Sequence, residues 1–159
     1  SPCSNEEYER AMADAMEGAR ADGIEAMAFG DLFLEDVRRY REEKMAPTGI
    51  VPLFPLWGIP TAELATRMID AGFRILVTCV DPRVVPRELA GRSYDRQFLA
   101  DLPPGADPCG ENGEFHTFVY GGPIFDQPLR VAAGEIVERD GFVFADVVEC
   151  EPDLIPREK

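Results

Sequence analysis

The densest chemistry in the 159 residues lies between Cys109 and Thr117, where the run Cys-Gly-Glu-Asn-Gly-Glu-Phe-His-Thr holds two carboxylates, a thiol, the chain's only imidazole and two glycines. Glu114 and His116 stand two apart, so in an extended strand they point to one face while Phe115 points to the other and anchors the segment. A carboxylate beside an imidazole can raise its pKa and orient its tautomer, as proton transfer near neutral pH requires. The same residues also describe a glycine-rich loop entering an ordinary surface strand, and spacing alone leaves both readings open. Cys109 reads as a small buried filler, because no second histidine or basic neighbour stands near it to stabilise a thiolate.

A second group follows from the rule that ligands of an open parallel sheet collect beyond the carboxyl ends of its strands. The loops so selected are Gly30-Asp31, Pro55-Leu56-Trp57-Gly58 and Asp81-Pro82. Gly30 lets a backbone approach a ligand closely, and Asp31 can accept hydrogen bonds, bind Mg²⁺ through water, or merely cap the next helix. Trp57 can stack on a ring or cover a sheet edge. The run Arg38-Arg39-Tyr40-Arg41 is the densest positive patch. It can grip a phosphate or carboxylate, or pair with Glu35, Asp36, Glu42 and Glu43 on a solvated face.

The elements that must position these groups are legible in outline. Ser4-Asn5-Glu6-Glu7 is a capping box opening a helix that runs to Gly23. Ile24–Phe29 reads as a strand, Leu34 to Lys44 as a helix broken by Pro47, and Ile50–Phe54 as a second strand. Thr61 can cap a third helix ending at Gly72, and Phe73–Val80 is a third, nearly all-apolar strand. Such continuous apolarity predicts a parallel strand covered on both faces. A short helix over Ser93–Leu102 follows, and Arg130–Glu138 and Phe142–Glu149 flank Asp140-Gly141 as an antiparallel hairpin. The expected class is therefore α/β, a parallel sheet flanked by helices and followed by a Gly/Pro-rich, antiparallel extension.

Composition narrows the function classes. With 45% hydrophobic and 29% charged residues the chain is globular in character. Sixteen Lys and Arg against thirty Asp and Glu give a net charge of −14, which argues against nucleic acid or anionic lipid as a partner. Nothing approaches the roughly 20 apolar residues of a membrane span. Cys3, Cys79, Cys109 and Cys150 form no CxxC pair, so neither a zinc module nor a disulfide framework is expected, no metal site is assigned, and a reducing cytoplasm fits best. The opening Ser1-Pro2-Cys3-Ser4-Asn5 reads as a cut start.

Taken in order, Phe29-Gly30-Asp31-Leu32, Arg39-x-Arg41-x-Glu43, Leu56-Trp57, Leu89-Ala90-Gly91-Arg92 and Cys109 to Thr117 resemble the diphthine ammonia ligase family of the PP-loop, or N-type ATP pyrophosphatase, superfamily. The resemblance runs from about Asn5 to about Phe125. It implies a partial HUP-type nucleotide-binding domain, placed at residues 1–102, and a substrate-recognition region with the Glu-x-Gly-Glu signature and the hairpin, at 103–159. It further implies that a small-molecule or protein-borne carboxylate is activated by ATP, with Mg²⁺, and captured by ammonia as an amide. On that basis Glu111, Glu114 and His116 are expected in catalysis, and Gly110, Asn112, Gly113, Thr117 and Arg92 at the substrate. Gly30, Asp31, Arg39, Arg41 and Trp57 are expected at the nucleotide. The family's Ser-Gly-Gly-x-Asp-Ser phosphate loop does not occur in the 159 residues, so these residues by themselves are expected to be inactive and to self-associate as a homo-oligomer. Asn112 replaces a usual Gly and His116 a usual Glu, a pattern closer to bacterial relatives, and the acid acted on stays open. The competing readings are an adenine-nucleotide hydrolase, with water in place of the amine, and a non-catalytic binding or assembly module.

Overall fold

The computed structural model describes residues 4–150, and the chain divides into two compact units, one ending at Ile59 and the other beginning at Pro60. Unit 1 opens with helix α1 (Asn5–Ala21), whose capping box forms as the sequence predicts: the Glu7 amide donates to Ser4 Oγ at 3.2 Å and the Ser4 amide to Glu7 Oε2 at 2.9 Å. Strand β1 (Ala26–Ala28), helix α2 (Glu35–Met45) and strand β2 (Val51–Leu53) follow, with β1 and β2 parallel in the register Ala26↔Val51 and Ala28↔Leu53. Met16 of α1, Met45 of α2 and Ile50 form the core, with Met27 and Phe29 packed against it.

Unit 2 begins with α3 (Thr61–Asp70), whose N-cap position is Pro60, Thr61 being the first helical residue. Strand β3 (Arg74–Val80) lies between β4 (Phe115–Gly121) and β6 (Phe142–Glu149), and β5 (Val131–Arg139) completes the antiparallel order β4-β3-β6-β5. Helix α4 (Arg96–Asp101) is capped by Asp95, which accepts the Phe98 amide at 2.8 Å. Val77, Val80, Phe98, Phe115 and Val143 are the centre of the core. The hairpin turns at Asp140-Gly141 with both residues at positive φ, 53° and 82°, as a tight two-residue turn requires.

The α/β class stands, with a correction to the placement of Phe73–Val80. This strand does not extend the parallel sheet; every partner of β3 is antiparallel and later in the chain. Continuous apolarity reports burial on both faces and carries no information about strand direction. The compact units meet at Ile59 and Pro60. Among the described residues no helix is long and apolar enough to cross a membrane.

Candidate functional site

The segment from Asp107 to Glu114 is a loop that satisfies itself. Asp107 and Glu114 are 9% and 5% exposed, and their carboxylates organise it by accepting its amides. Asp107 Oδ2 accepts the amides of Cys109 and Glu111, each at 3.0 Å. Glu114 Oε1 accepts the Asp107 amide and Asn112 Nδ2, both at 2.9 Å, and Oε2 accepts the Asn112 amide at 3.0 Å. Burial opposes the charge on Glu114, yet the bonds from Asn112 and the loop amides outweigh it, and its carboxyl titrates below the ordinary value.

Two glycines make the path possible. Gly110 has φ +70° and sits so close to the next strand that a Cβ there would lie 2.8 Å from the Phe115 carbonyl oxygen. Gly113, at φ +86°, donates its amide to the Gly110 carbonyl at 3.0 Å. The Asp81 amide donates to the Glu114 carbonyl at 2.8 Å, joining the loop to the end of β3. Asp81 itself accepts from Arg83 Nε and Nη2 at 2.8 and 2.6 Å, and the Arg83 guanidinium holds its carboxyl below the usual range.

Asn112, Gly113, His116 and Thr117 are exposed and Gly110 and Glu111 half-buried, so the loop offers its turn and the start of β4 to solvent. His116 lies opposite Cys79, and Thr117 opposite Val77, across the sheet. The expected pairing of Glu114 with His116 is not formed among the described residues: β4 starts at Phe115, so Glu114 belongs to the loop and its carboxylate turns to the loop's amides. Cys109 donates from Sγ to the Thr61 carbonyl, and burial, with Asp107 and Glu111 nearby, pushes its thiol up to about 11. That disposes against a nucleophile. Arg92 Nη1 is 2.6 Å from Asp101 Oδ2, an ion pair that lowers the Asp101 carboxyl. Asp107, which no motif singled out, was signalled only by an Asp-Pro step that lets a carboxylate accept amides two residues on.

The residues expected at the nucleotide, Gly30, Asp31, Arg39, Arg41 and Trp57, belong to unit 1. Gly30 and Asp31 follow β1, and Trp57 lies in the turn after β2, the two loops joined by the Gly58 amide donating to the Leu32 carbonyl at 2.9 Å. Arg41 Nε reaches Asp31 Oδ2 at 3.3 Å, and its guanidinium stands 4.8 Å over the Phe29 ring. Arg38 lies 4.8 Å from the ring centres of both Phe54 and Trp57, which meet edge to face. Arg39 is exposed. A Cβ at Gly30 would meet open space. Guanidinium groups beside aromatic rings at the carboxyl ends of parallel strands suit a base and an anionic group. Among the described residues no cluster of His, Cys, Asp or Glu is placed to hold a metal ion.

Comparison with known proteins bears on this arrangement. Residues 60–148 match the family model described as the diphthamide synthase C-terminal domain, a span that begins where unit 2 begins. A diphthine–ammonia ligase from Danio rerio is 30% identical over 156 residues, taking in 92% of this chain and 60% of the relative. Diphthine–ammonia ligases from Bos taurus and Homo sapiens are each 28% identical over 130 residues, covering 78% of this chain and 48% of the relative. The chain thus spans about half the length of the curated relatives it matches.

Proposed function

The chain belongs to the diphthine ammonia ligase family, and so to the PP-loop superfamily, and from that premise we propose that it serves an ATP-dependent ligase that turns a carboxylate into an amide. In the proposed reaction the carboxylate oxygen attacks the α-phosphorus of ATP and pyrophosphate leaves. The nitrogen lone pair of ammonia then attacks the acyl carbon, AMP leaves with the bonding pair, and the nitrogen gives up a proton. What supports this reading most is the Asp107 to Glu114 loop, whose buried carboxylates fix Glu111 and Asn112 at an exposed turn within the family-matched span.

In this reading Glu114 acts by holding the loop, and Glu111, the backbone of Gly110 and Gly113, Asn112 and Thr117 face the acid and ammonia. His116, exposed at the start of β4, takes the proton released by the amine, as an imidazole can near neutral pH. Arg41, Asp31, Gly30, Trp57 and the exposed Arg39 meet the nucleotide, whose phosphates carry the Mg²⁺. The bound nucleotide supplies activation of the acid, turning a poor leaving group into AMP. The acid is a small molecule or a group on a protein. The cytoplasm is the proposed setting and a homo-oligomer the proposed assembly.

The test is to incubate a protein that carries these residues together with the family's phosphate loop, and separately the 159 residues alone, which are expected to give no turnover, with ATP, Mg²⁺ and ammonium, with and without a panel of carboxylates, and to quantify AMP, pyrophosphate and amide. Equimolar AMP and amide that depend on the acid are expected. AMP formed without any acid would instead make it a nucleotide hydrolase. With an active acid, His116→Asn should lower turnover by ~10²–10⁴ while leaving the unfolding midpoint unchanged; wild-type turnover would remove the imidazole from the reaction.

A further inference from the structure

In the run Arg38-Arg39-Tyr40-Arg41, the proposed chemistry leaves Arg38 without a role. It stands three residues before Arg41 on α2, so the two share a face of the helix. That face meets the loops after β1 and β2, where cations and rings alternate. Arg41 lies over Phe29, Phe29 stacks on Phe54 with centres 5.7 Å apart, and Arg38 stands 4.8 Å from the centres of both Phe54 and Trp57. Trp57 ends the row.

Trp57 is rooted in a turn rather than a strand, its amide donating to the Phe54 carbonyl at 3.2 Å, and it is half-buried. Such a backbone fixes where the indole starts and leaves its side-chain torsions to be set by neighbours. The neighbours are the Phe54 ring, met edge to face, and the Arg38 guanidinium. Arg38 is itself held, because its Nε donates to Glu42 Oε1 at 2.9 Å, one turn further along α2. With its charge answered there and two rings beside it, this guanidinium suits the orienting of a ring more than the gripping of a phosphate.

We propose that Arg38 is a positioning residue for the base of the nucleotide: with Glu42 behind it, it holds the Trp57 indole by one face, and the base stacks on the other. Stacking on an aromatic side chain asks only for a π-face in the right place. A ring already fixed in the free protein spares binding the cost of ordering it. The inference rests on the reading of Trp57 as a nucleotide residue and deepens it.

The experiment uses the protein that carries these residues together with the family's phosphate loop, labelled with 5-fluorotryptophan. The Trp57 resonance is identified by its loss in Trp57→Phe. Two ligands are titrated by calorimetry and fluorine NMR: α,β-methylene-ATP, whose α–β bridge cannot be split, and pyrophosphate, which has no base. The nucleotide is expected to shift the Trp57 resonance and pyrophosphate to leave it in place. Arg38→Met should weaken the nucleotide about fivefold with pyrophosphate affinity unchanged, and should move the ligand-free Trp57 resonance towards that of the free amino acid in water. Glu42→Gln, at an exposed position, should act in the same direction by about twofold. Equal losses for nucleotide and pyrophosphate would make Arg38 a phosphate ligand and overturn the proposal. Unchanged nucleotide affinity in Arg38→Met, or a Trp57 resonance that ignores bound nucleotide, would overturn it while nucleotide binding stood. No binding of the nucleotide by the wild-type protein would instead remove the ligase reading, and this inference with it.

Discussion

Glu114→Ala tests whether the loop's buried carboxylate is a structural hub. The substitution strands three donors, the amides of Asp107 and Asn112 and the Asn112 side chain. Asn112 is exposed, so its side chain can turn to water at little cost, and the two backbone amides carry the penalty. At about 1–3 kcal/mol for each buried donor left unmet, eased where the loop relaxes, a loss of ~2–4 kcal/mol is expected. Urea unfolding followed by far-UV circular dichroism measures it. Acidity supplies a second readout. The folded-state pKa of Glu114 lies below the ordinary 4.5, so its contribution is complete above that value and disappears as pH falls through the folded one. The gap between wild type and Glu114→Ala should therefore be constant at neutral pH and narrow below about pH 4.5. Asp81 and Asp101 are lowered too and have the same sign, so the variant keeps their share of acid sensitivity. A loss under about 0.5 kcal/mol, or a gap that does not change into acid, would refute the hub, since ordinary surface substitutions stay within that range.

Three further outcomes follow from the same geometry. Gly110→Ala combines a positive φ with a Cβ at 2.8 Å from a backbone oxygen, and should cost about 2–4 kcal/mol in chemical denaturation; a neutral effect would mean that the turn is not held as described. Phe115→Ala removes a ring that is 3% exposed and stacked edge-on to Phe98 at 5.3 Å, and a fall of about 3–5 kcal/mol is expected from the same measurement. Cys109, with a thiol near 11 against an ordinary 9.0, should react with iodoacetamide at pH 8 about a hundredfold more slowly than in urea-unfolded protein, as mass mapping of the modified cysteine would show. Equal rates in folded and unfolded protein would place that thiol in the open.

What the sequence disclosed and what it hid divide along the reach of each interaction. The Ser4 to Glu7 box, the Asp140-Gly141 turn and the glycines at 110 and 113 are contacts over a few residues, and their residue types state the backbone geometry directly. The direction of β3 is set by partners far along the chain, Phe115 and Val143 both pairing with Val80 from 35 and 63 residues away, and an apolar run contains no term for that choice. The pairing of Arg92 with Asp101, nine residues on, was likewise not written in any local motif. Glu114 is the instructive case. Alternation along a strand puts it beside His116 only if the strand has already begun, and it begins one residue later, at Phe115. Starting where it does, the strand leaves Glu114 as the acceptor on which the loop closes. In a signature of two glutamates about a glycine, one carboxylate can therefore be spent on the loop's own donors, as that of Glu114 is, so what Glu111 and Glu114 each do is a question for stability measurements as much as for turnover.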